Sequence, residues 1–341
     1  MNSLNSPFAS LRHDQVQKLD KCPGHALSWH QWSTAEIDAL TLAYAARRPL
    51  LVRGEPGTGK TQLARAAAAH LGWHLHGETI HPRFEAQELQ SRFDAVQRLA
   101  DAQVKGMDLA ADKKRYWRPG VLWKAFDWES ASKYMPTDET IVKPNGHVVV
   151  IDEIDKADSD LPNSLLEVLG QRSFHVEPEN KPICASETQP PLIVITTNEE
   201  RELPAAFLRR CIVLALEPGP GSYRDWLIKR GNAHFGALPN AEPPRAALLD
   251  PQLLGMAAEQ LEKDRDAVKA ANLPPPGLAE YLDLLYALRE LFQDDAPAQQ
   301  EWLGRLSAYG YLKHGSVDRQ PELSQGRKPI AHTDSPTPAG D

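Results

Sequence analysis

Residues Gly54-Glu55-Pro56-Gly57-Thr58-Gly59-Lys60-Thr61 stand in the spacing G-x-x-x-x-G-K-[ST]. Each part of that pattern has a chemical task. Glycines let successive backbone N–H groups curl around phosphate oxygens, and a following helix turns its positive end toward them. The Lys60 side chain is long enough to reach β- and γ-phosphates, and the Thr61 hydroxyl is a hard oxygen ligand suited to Mg²⁺. The flanks fit this use, because the apolar run Leu50–Arg53 enters the loop and the Ala-rich stretch Gln62–Ala69 leaves it. A strand, a phosphate loop and a helix are therefore expected in that order.

Two further strand ends carry polar chemistry. The run His147-Val148-Val149-Val150-Ile151 leads into Asp152-Glu153. In a parallel sheet, chemistry collects at the C-terminal ends of strands. A first carboxylate there can hold Mg²⁺ and a second can orient and deprotonate a water. On its own, a strand followed by a charged turn is common, and it is the phosphate loop upstream that gives the pair its meaning. Asp155 and Lys156, in the same turn, read as helix-start and surface residues. The run Leu192–Thr197 ends in Asn198, whose amide can position a water beside a γ-phosphate or simply turn the chain. Arg209-Arg210 follow, and a guanidinium is a planar, permanently charged partner for phosphate, although two adjacent arginines also suit a solvated surface.

The elements that must position these groups follow from apolar patterning. Five short runs have the length of buried strands: Leu50–Arg53, Trp73–His76, Val148–Ile151, Leu192–Thr196 and Ile212–Leu216. Helical stretches at Gln62–Leu71, Glu85–Ala100 and Leu161–Leu169 lie between them. Alternation of this kind predicts an α/β fold with a doubly wound parallel five-stranded sheet covered on both faces, over residues 29–218. Ser33-Thr34-Ala35-Glu36 is a capping box that opens a helix ahead of the first of these strands. Past Pro218 the pattern is all-helical, with Ser222–Arg230, Pro251–Lys263, Ala279–Phe292 and Ala298–Leu312 forming a second domain over 219–314. Residues 1–28, broken by Pro7, Pro23 and Gly24, read as a flexible arm, and 315–341 as a disordered tail.

Bulk properties narrow the class. The net charge of −8 argues against broad sequence-independent nucleic-acid binding. Three scattered cysteines make no disulfide framework and fit a reducing, cytoplasmic setting. No apolar run is long enough for a membrane helix.

Taken in order, Gly54–Thr61, Asp152-Glu153, Asn198 and Arg209-Arg210, followed by a helical domain, resemble the AAA+ ATPases. The wording GEPGTGKTQLA, VVVIDEIDKA, VITTNEERELPAAFLRRC and RYWRPGVLWKAF resembles the MoxR-like branch of that family, across about residues 35–290. The resemblance implies a P-loop NTPase with a helical lid, binding ATP and Mg²⁺ through Gly54–Thr61 and Asp152. It implies Glu153 as the base, Asn198 as sensor 1, and Arg210, with Arg209 as the alternative, as a finger acting on a neighbour's nucleotide. It also implies a ring homo-oligomer, expected as a hexamer, that remodels or assembles a client protein. An insertion in helix 2, about residues 88–123, would touch the client, and a second would fall between Phe174 and Pro191. The sequence departs from the family at the lid helix, where Ala279 stands in place of the usual sensor 2 arginine and Arg289 is a substitute. The motifs only weakly favour ATP over GTP.

Two other functions share these motifs: a slow nucleotide switch gating an effector, as in bacterial defence, and a nucleic-acid-directed motor subunit of the McrB-like kind. His74, His76 and His81 invite a metal reading but have no carboxylate or thiolate partner at suitable spacing. Trp29 and Trp32 could stack near a base, though burial at a helix entry is the commoner use.

Overall fold

The computed structural model describes residues 6–22, 24–103, 115–135, 143–158, 160–218, 221–239 and 244–313. The chain divides into two compact units, Met1–Glu217 and Pro218–Asp341. The expected tail at 315–341 lies outside the described residues.

The first unit begins with a correction to the flexible arm. Strands β1 (Val16–Leu19) and β2 (Ser28–Gln31) pair antiparallel, and Phe8, Leu11, Leu19 and Trp32 are buried. Their apolar side chains are too irregularly spaced to show a period, and they become a core only against helices α1 (Thr34–Ala46) and α2 (Lys60–Leu71). The capping box at Ser33 and Glu36 forms as expected.

Strand β3 (Leu50–Arg53) leads into α2, and β4 (His74–Thr79) follows. The stretch expected as one helix at Glu85–Ala100 is broken up. A 3-10 turn at Ala86–Leu89 passes into β5 (Ser91–Phe93), which pairs antiparallel with β6 (Trp117–Pro119), and helix α3 (Ala95–Ala102) lies between them. The cause is a close backbone approach. Gly120 N–H donates to the Gln90 carbonyl at 2.9 Å, and a Cβ on Gly120 would sit 2.3 Å from the Leu89 oxygen. Helices α4 (Val121–Phe126) and α5 (Trp128–Ser132) then lead to β7 (His147–Asp152), α6 (Asp160–Gln171), the small hairpin β8 (Ser173–Phe174) and β9 (Ile183–Cys184), β10 (Leu192–Thr197), α7 (Ala205–Leu208) and β11 (Ile212–Ala215).

The main sheet has five strands in the order β11-β3-β10-β7-β4, all parallel. Its central strands are buried on both faces, which is why they read as unbroken Val/Ile/Leu runs. All strands run the same way, so the phosphate loop after β3, the carboxylates after β7 and the amide after β10 emerge at one edge.

The second unit is a helical cluster of α8 (Tyr223–Phe235), α9 (Pro251–Ala270), α10 (Leu278–Phe292) and α11 (Ala296–Gly310). Its core joins Leu227, Phe235, Leu254, Leu261, Tyr281 and Leu285. Ala279 falls in the first turn of α10 and Arg289 in its last. No helix among the described residues is long and apolar enough to cross a membrane.

At the opening of β4 and β7, three histidines meet. His76 Nε2 lies 2.9 Å from His147 Nδ1, and the His74 ring is 4.6 Å from that of His76. His81 lies apart, edge-on to Phe84. Among the described residues no group of three or more ligating side chains is placed to hold a metal ion. Burial, followed by the neighbouring imidazoles and Lys124, pushes His76 down to about 2, and burial followed by His74 pushes His147 down to about 4. Both folded values lie below the ordinary 6.5, so the unfolded chain takes up more protons between the two. Stability is then complete above about pH 6.5 and falls as pH drops toward 4. From pH 7.5 to 5 each of the two contributes up to about 2 kcal/mol, so a loss of up to about 4 kcal/mol is expected for the pair, read as a fall in Tm of several degrees or more. His147→Gln, which does not titrate, should remove about half of that loss in thermal melts, the rest staying with His76. An equally steep loss in that variant would assign the effect to other groups.

Candidate functional site

The phosphate loop is shaped by glycines where side chains would fail. Gly57 and Gly59 have φ of 76° and 97°, and a Cβ on Gly54 would meet the Leu216 carbonyl at 2.6 Å. Beyond Gly59, α2 starts with free N–H groups, because the first turn of a helix has no intrahelical acceptors. The loop and helix start thus form a row of backbone donors. Pro56, Gly57, Gly59, Lys60 and Thr61 line a cavity of about 300 Å³, together with Asp152, Glu153 and Asn198. Gly54 and Glu55 lie behind it and present their carbonyls to Lys60, whose Nζ donates to them at 2.8 and 2.9 Å. Thr58 turns its hydroxyl back to the Glu55 carbonyl at 2.9 Å. Lys60 is buried, and desolvation lowers its pKa against the opposing pull of Asp152, Asp155 and Glu153.

Across the cavity, Thr61 Oγ1 lies 2.9 and 3.0 Å from the two oxygens of Asp152. A hydroxyl and a carboxylate in contact at a helix start make a hard-oxygen pair, the donor set that suits Mg²⁺ with waters and phosphate oxygens completing its shell. The glycine cradle and this pair fit a magnesium nucleoside triphosphate.

Glu153 follows Asp152 in a left-handed conformation, φ 60° and ψ 50°, which is costly for a residue with a Cβ. Thr196, fully buried on β10, holds it there. Its hydroxyl accepts the Glu153 N–H at 2.9 Å and donates to Asp152. Asn198 Nδ2 donates to Glu153 Oε1 at 3.1 Å.

Asp155 corrects the surface reading. It is 2% exposed and accepts the backbone N–H groups of Asn198 at 3.2 Å and Glu200 at 2.9 Å. A buried carboxylate thereby ties the acidic turn to the Asn198 loop. Lys156 pairs with Glu153 Oε2 at 2.5 Å. Sequence patterning missed Thr196 and Asp155 because their roles come from the parallel register of β7 and β10, which pairs Ile151 with Ile195 and puts the next residues side by side. It also missed Arg65 and His25, which line the same cavity. Arg65 on α2 is buried and donates to Ser28 Oγ at 2.9 Å and to the carbonyls of Leu19 and Asp20, tying the β1–β2 hairpin to the phosphate helix.

Arg209 and Arg210 are not brought to this cavity. Both are exposed, in the turn between α7 and β11, at the N-terminal ends of the parallel strands. The phosphate loop leaves the opposite end of β3, a four-residue strand and so about 13 Å away along the sheet. Arg210 instead lines a separate cavity of about 330 Å³ with Arg47, Arg48 and Arg172.

Residues 49–211 match the family model of the AAA domain, dynein-related subfamily. The chain carries an AAA domain. The five-stranded parallel sheet, the phosphate loop and the acidic strand end are those of a P-loop NTPase. An uncharacterised protein of Methanocaldococcus jannaschii is 26% identical over 160 residues, a match covering 47% of this chain and 34% of that protein. The chain therefore spans about a third of the length of that relative. Among solved structures, a candidate ATPase from Cytophaga hutchinsonii aligns with a TM-score of 0.37 at 13% identity, over 78% of this chain and 66% of that one. A point mutant of RuvB from Thermotoga maritima aligns with a TM-score of 0.36 at 16% identity, over 82% and 78%.

Proposed function

We propose that this chain is an ATP hydrolase of the MoxR-like kind, working as a ring of identical subunits that remodels or assembles a client protein. The observation that carries the hydrolytic reading is the convergence of Lys60, Thr61, Asp152, Glu153 and Asn198 on one cavity at the foot of α2. Bound Mg-ATP would supply the electrophilic γ-phosphorus and a metal ion to offset its charge. Backbone N–H groups of the loop and the Lys60 ammonium would hold the β- and γ-phosphates. Thr61 and Asp152 would hold the magnesium. Glu153 would take a proton from a water that Asn198 helps to orient, as that water attacks in line and the bond to the β-phosphate breaks. Arg210 would complete the site of the next subunit. Adenine preference, the six-membered ring and contact of the 88–123 insertion with the client follow from the MoxR-like resemblance.

The direct test is Lys60→Ala. Removing two charge-assisted contacts to phosphate is expected to weaken Mg-ATP binding by about 100-fold or more. Titration with a fluorescent ATP analogue measures it, with circular dichroism to show that the variant folds. Wild-type affinity in a folded Lys60→Ala protein would remove the phosphate-loop reading.

A further inference from the structure

We infer that Asp155 is a positioning residue for hydrolysis, a buried carboxylate that sets where the Asn198 amide stands and so where the attacking water is held. This rests on the proposed role of Asn198 in orienting that water. Asn198 lies just past the end of the sheet. Strand β10 stops at Thr197, and its parallel ladders run to Ile195 against β7 and to Thr197 against β3. Strand pairing therefore does not place Asn198. Its backbone N–H donates instead to both oxygens of Asp155, at 3.3 and 3.2 Å, and the N–H of Glu200 donates to Oδ2 at 2.9 Å.

The loop is shaped around that carboxylate. Glu199, between the two donors, is left-handed with φ 61°, and its own N–H turns away to Thr197 Oγ1 at 3.0 Å. A left-handed residue in a turn aims the N–H groups on either side of it toward one point, a concave pair of donors that closes on an anion. Such a conformation is strained for a residue with a Cβ and persists only where its surroundings hold it. Here the Asp155 carboxylate holds it. Asp155 is itself fixed, because it is buried in the 3-10 turn Ile154–Lys156 beside Ile154, which packs in the core.

Asn198 lines the nucleotide cavity beside Lys60, Asp152 and Glu153, and Asp155 does not. Asp155 thus touches neither nucleotide nor water, and its effect on turnover runs through the backbone that carries the Asn198 amide. Thr196 fixes the strand end itself, by its contacts to Asp152 and to the Glu153 N–H. Asp155 fixes the residue beyond it. A misplacement of about 1 Å in a reacting group costs up to about 10²-fold in rate, so a loop free to relax from its left-handed turn would slow hydrolysis with the phosphate cradle intact.

The experiment compares steady-state phosphate release and fluorescent-nucleotide affinity in wild type, Asp155→Asn, Asn198→Ala and the double variant Asp155→Asn/Asn198→Ala. Asparagine has the same shape but turns an NH₂ toward one of the backbone donors, so Asp155→Asn should lower kcat roughly tenfold. Its nucleotide affinity should be equal or tighter, because a carboxylate that acts on Lys60 has gone. Asn198→Ala should lower kcat by about 10²-fold. The double variant should match Asn198→Ala within about twofold, since a missing amide has no position to lose. A purely structural role for Asp155 would instead multiply the two losses and overturn the inference. Turnover of Asp155→Asn within about twofold of wild type, or a loss of affinity equal to its loss of rate, would do the same. A slow Asn198→Ala beside a fast Asp155→Asn removes this inference alone, whereas Asn198→Ala at the wild-type rate removes the Asn198 reading as well. If Asp155→Asn does not fold, the wild type still decides: its Asn198 and Glu200 N–H groups should resist hydrogen exchange, and fast exchange at both would leave no clamp.

Discussion

Glu153→Gln should bind Mg-ATP as wild type does and hydrolyse it about 10²–10⁴-fold more slowly. The substitution is close to isosteric, so the left-handed turn, the Thr196 contact to the Glu153 N–H and the Asn198 contact to the remaining oxygen can all persist. What it removes is a carboxylate able to accept a proton. Nothing in the phosphate cradle is disturbed, because Lys60 rests on Gly54 and Glu55 and Thr61 rests on Asp152. Binding and turnover should therefore separate cleanly when a fluorescent nucleotide titration is set beside a phosphate-release assay. Turnover within a few-fold of wild type would move the base elsewhere. A matching loss of affinity would mean that the residue holds the nucleotide instead of activating water.

The parts of this site that the sequence displays are those built from neighbours along the chain. The phosphate loop is eight consecutive residues, and the acidic pair ends an unbroken apolar run, so each is visible without knowing the fold. The five strands are visible for the same reason, since strands buried on both faces must be apolar throughout. Thr196 and Asp155 are different. A threonine in a strand and an aspartate in a turn are ordinary, and only the parallel pairing of β7 with β10 makes them partners of Asp152, Glu153 and Asn198. Phe8 and Leu11 are hidden similarly, having no period of their own and a core only when α1 and α2 are in place. The Glu85–Ala100 stretch shows the converse: helix-forming residues gave way to a hairpin because Gly120 lets two backbones approach where a Cβ would block them.

Arg210→Ala should bind nucleotide normally and lose about 10³-fold or more of its turnover. Arg210 lies at the N-terminal ends of the strands whose C-terminal ends carry the phosphate loop, so its own site is out of reach. At that end it is gathered with Arg47, Arg48 and Arg172, whereas Asp152, Glu153 and Asp155 stand at the other. Arg47 and Arg172 are paired with Glu187, whereas Arg210 is exposed. A second copy set head to tail would bring that arginine toward its neighbour's phosphate site, and such contacts close into rings when the rotation permits. Mixing gives the decisive measurement. Arg210→Ala subunits carry an intact Glu153 and Glu153→Gln subunits an intact Arg210, so each population should be nearly inactive alone. Co-assembled, they create interfaces where an intact base meets an intact arginine, and those sites should recover up to about a quarter of wild-type activity on random mixing in equal amounts. Recovery with a single maximum near equal mixing supports a site shared between subunits. A mixture no more active than its parts would place Arg210 outside the reaction, and a full-rate Arg210→Ala protein would do so at once.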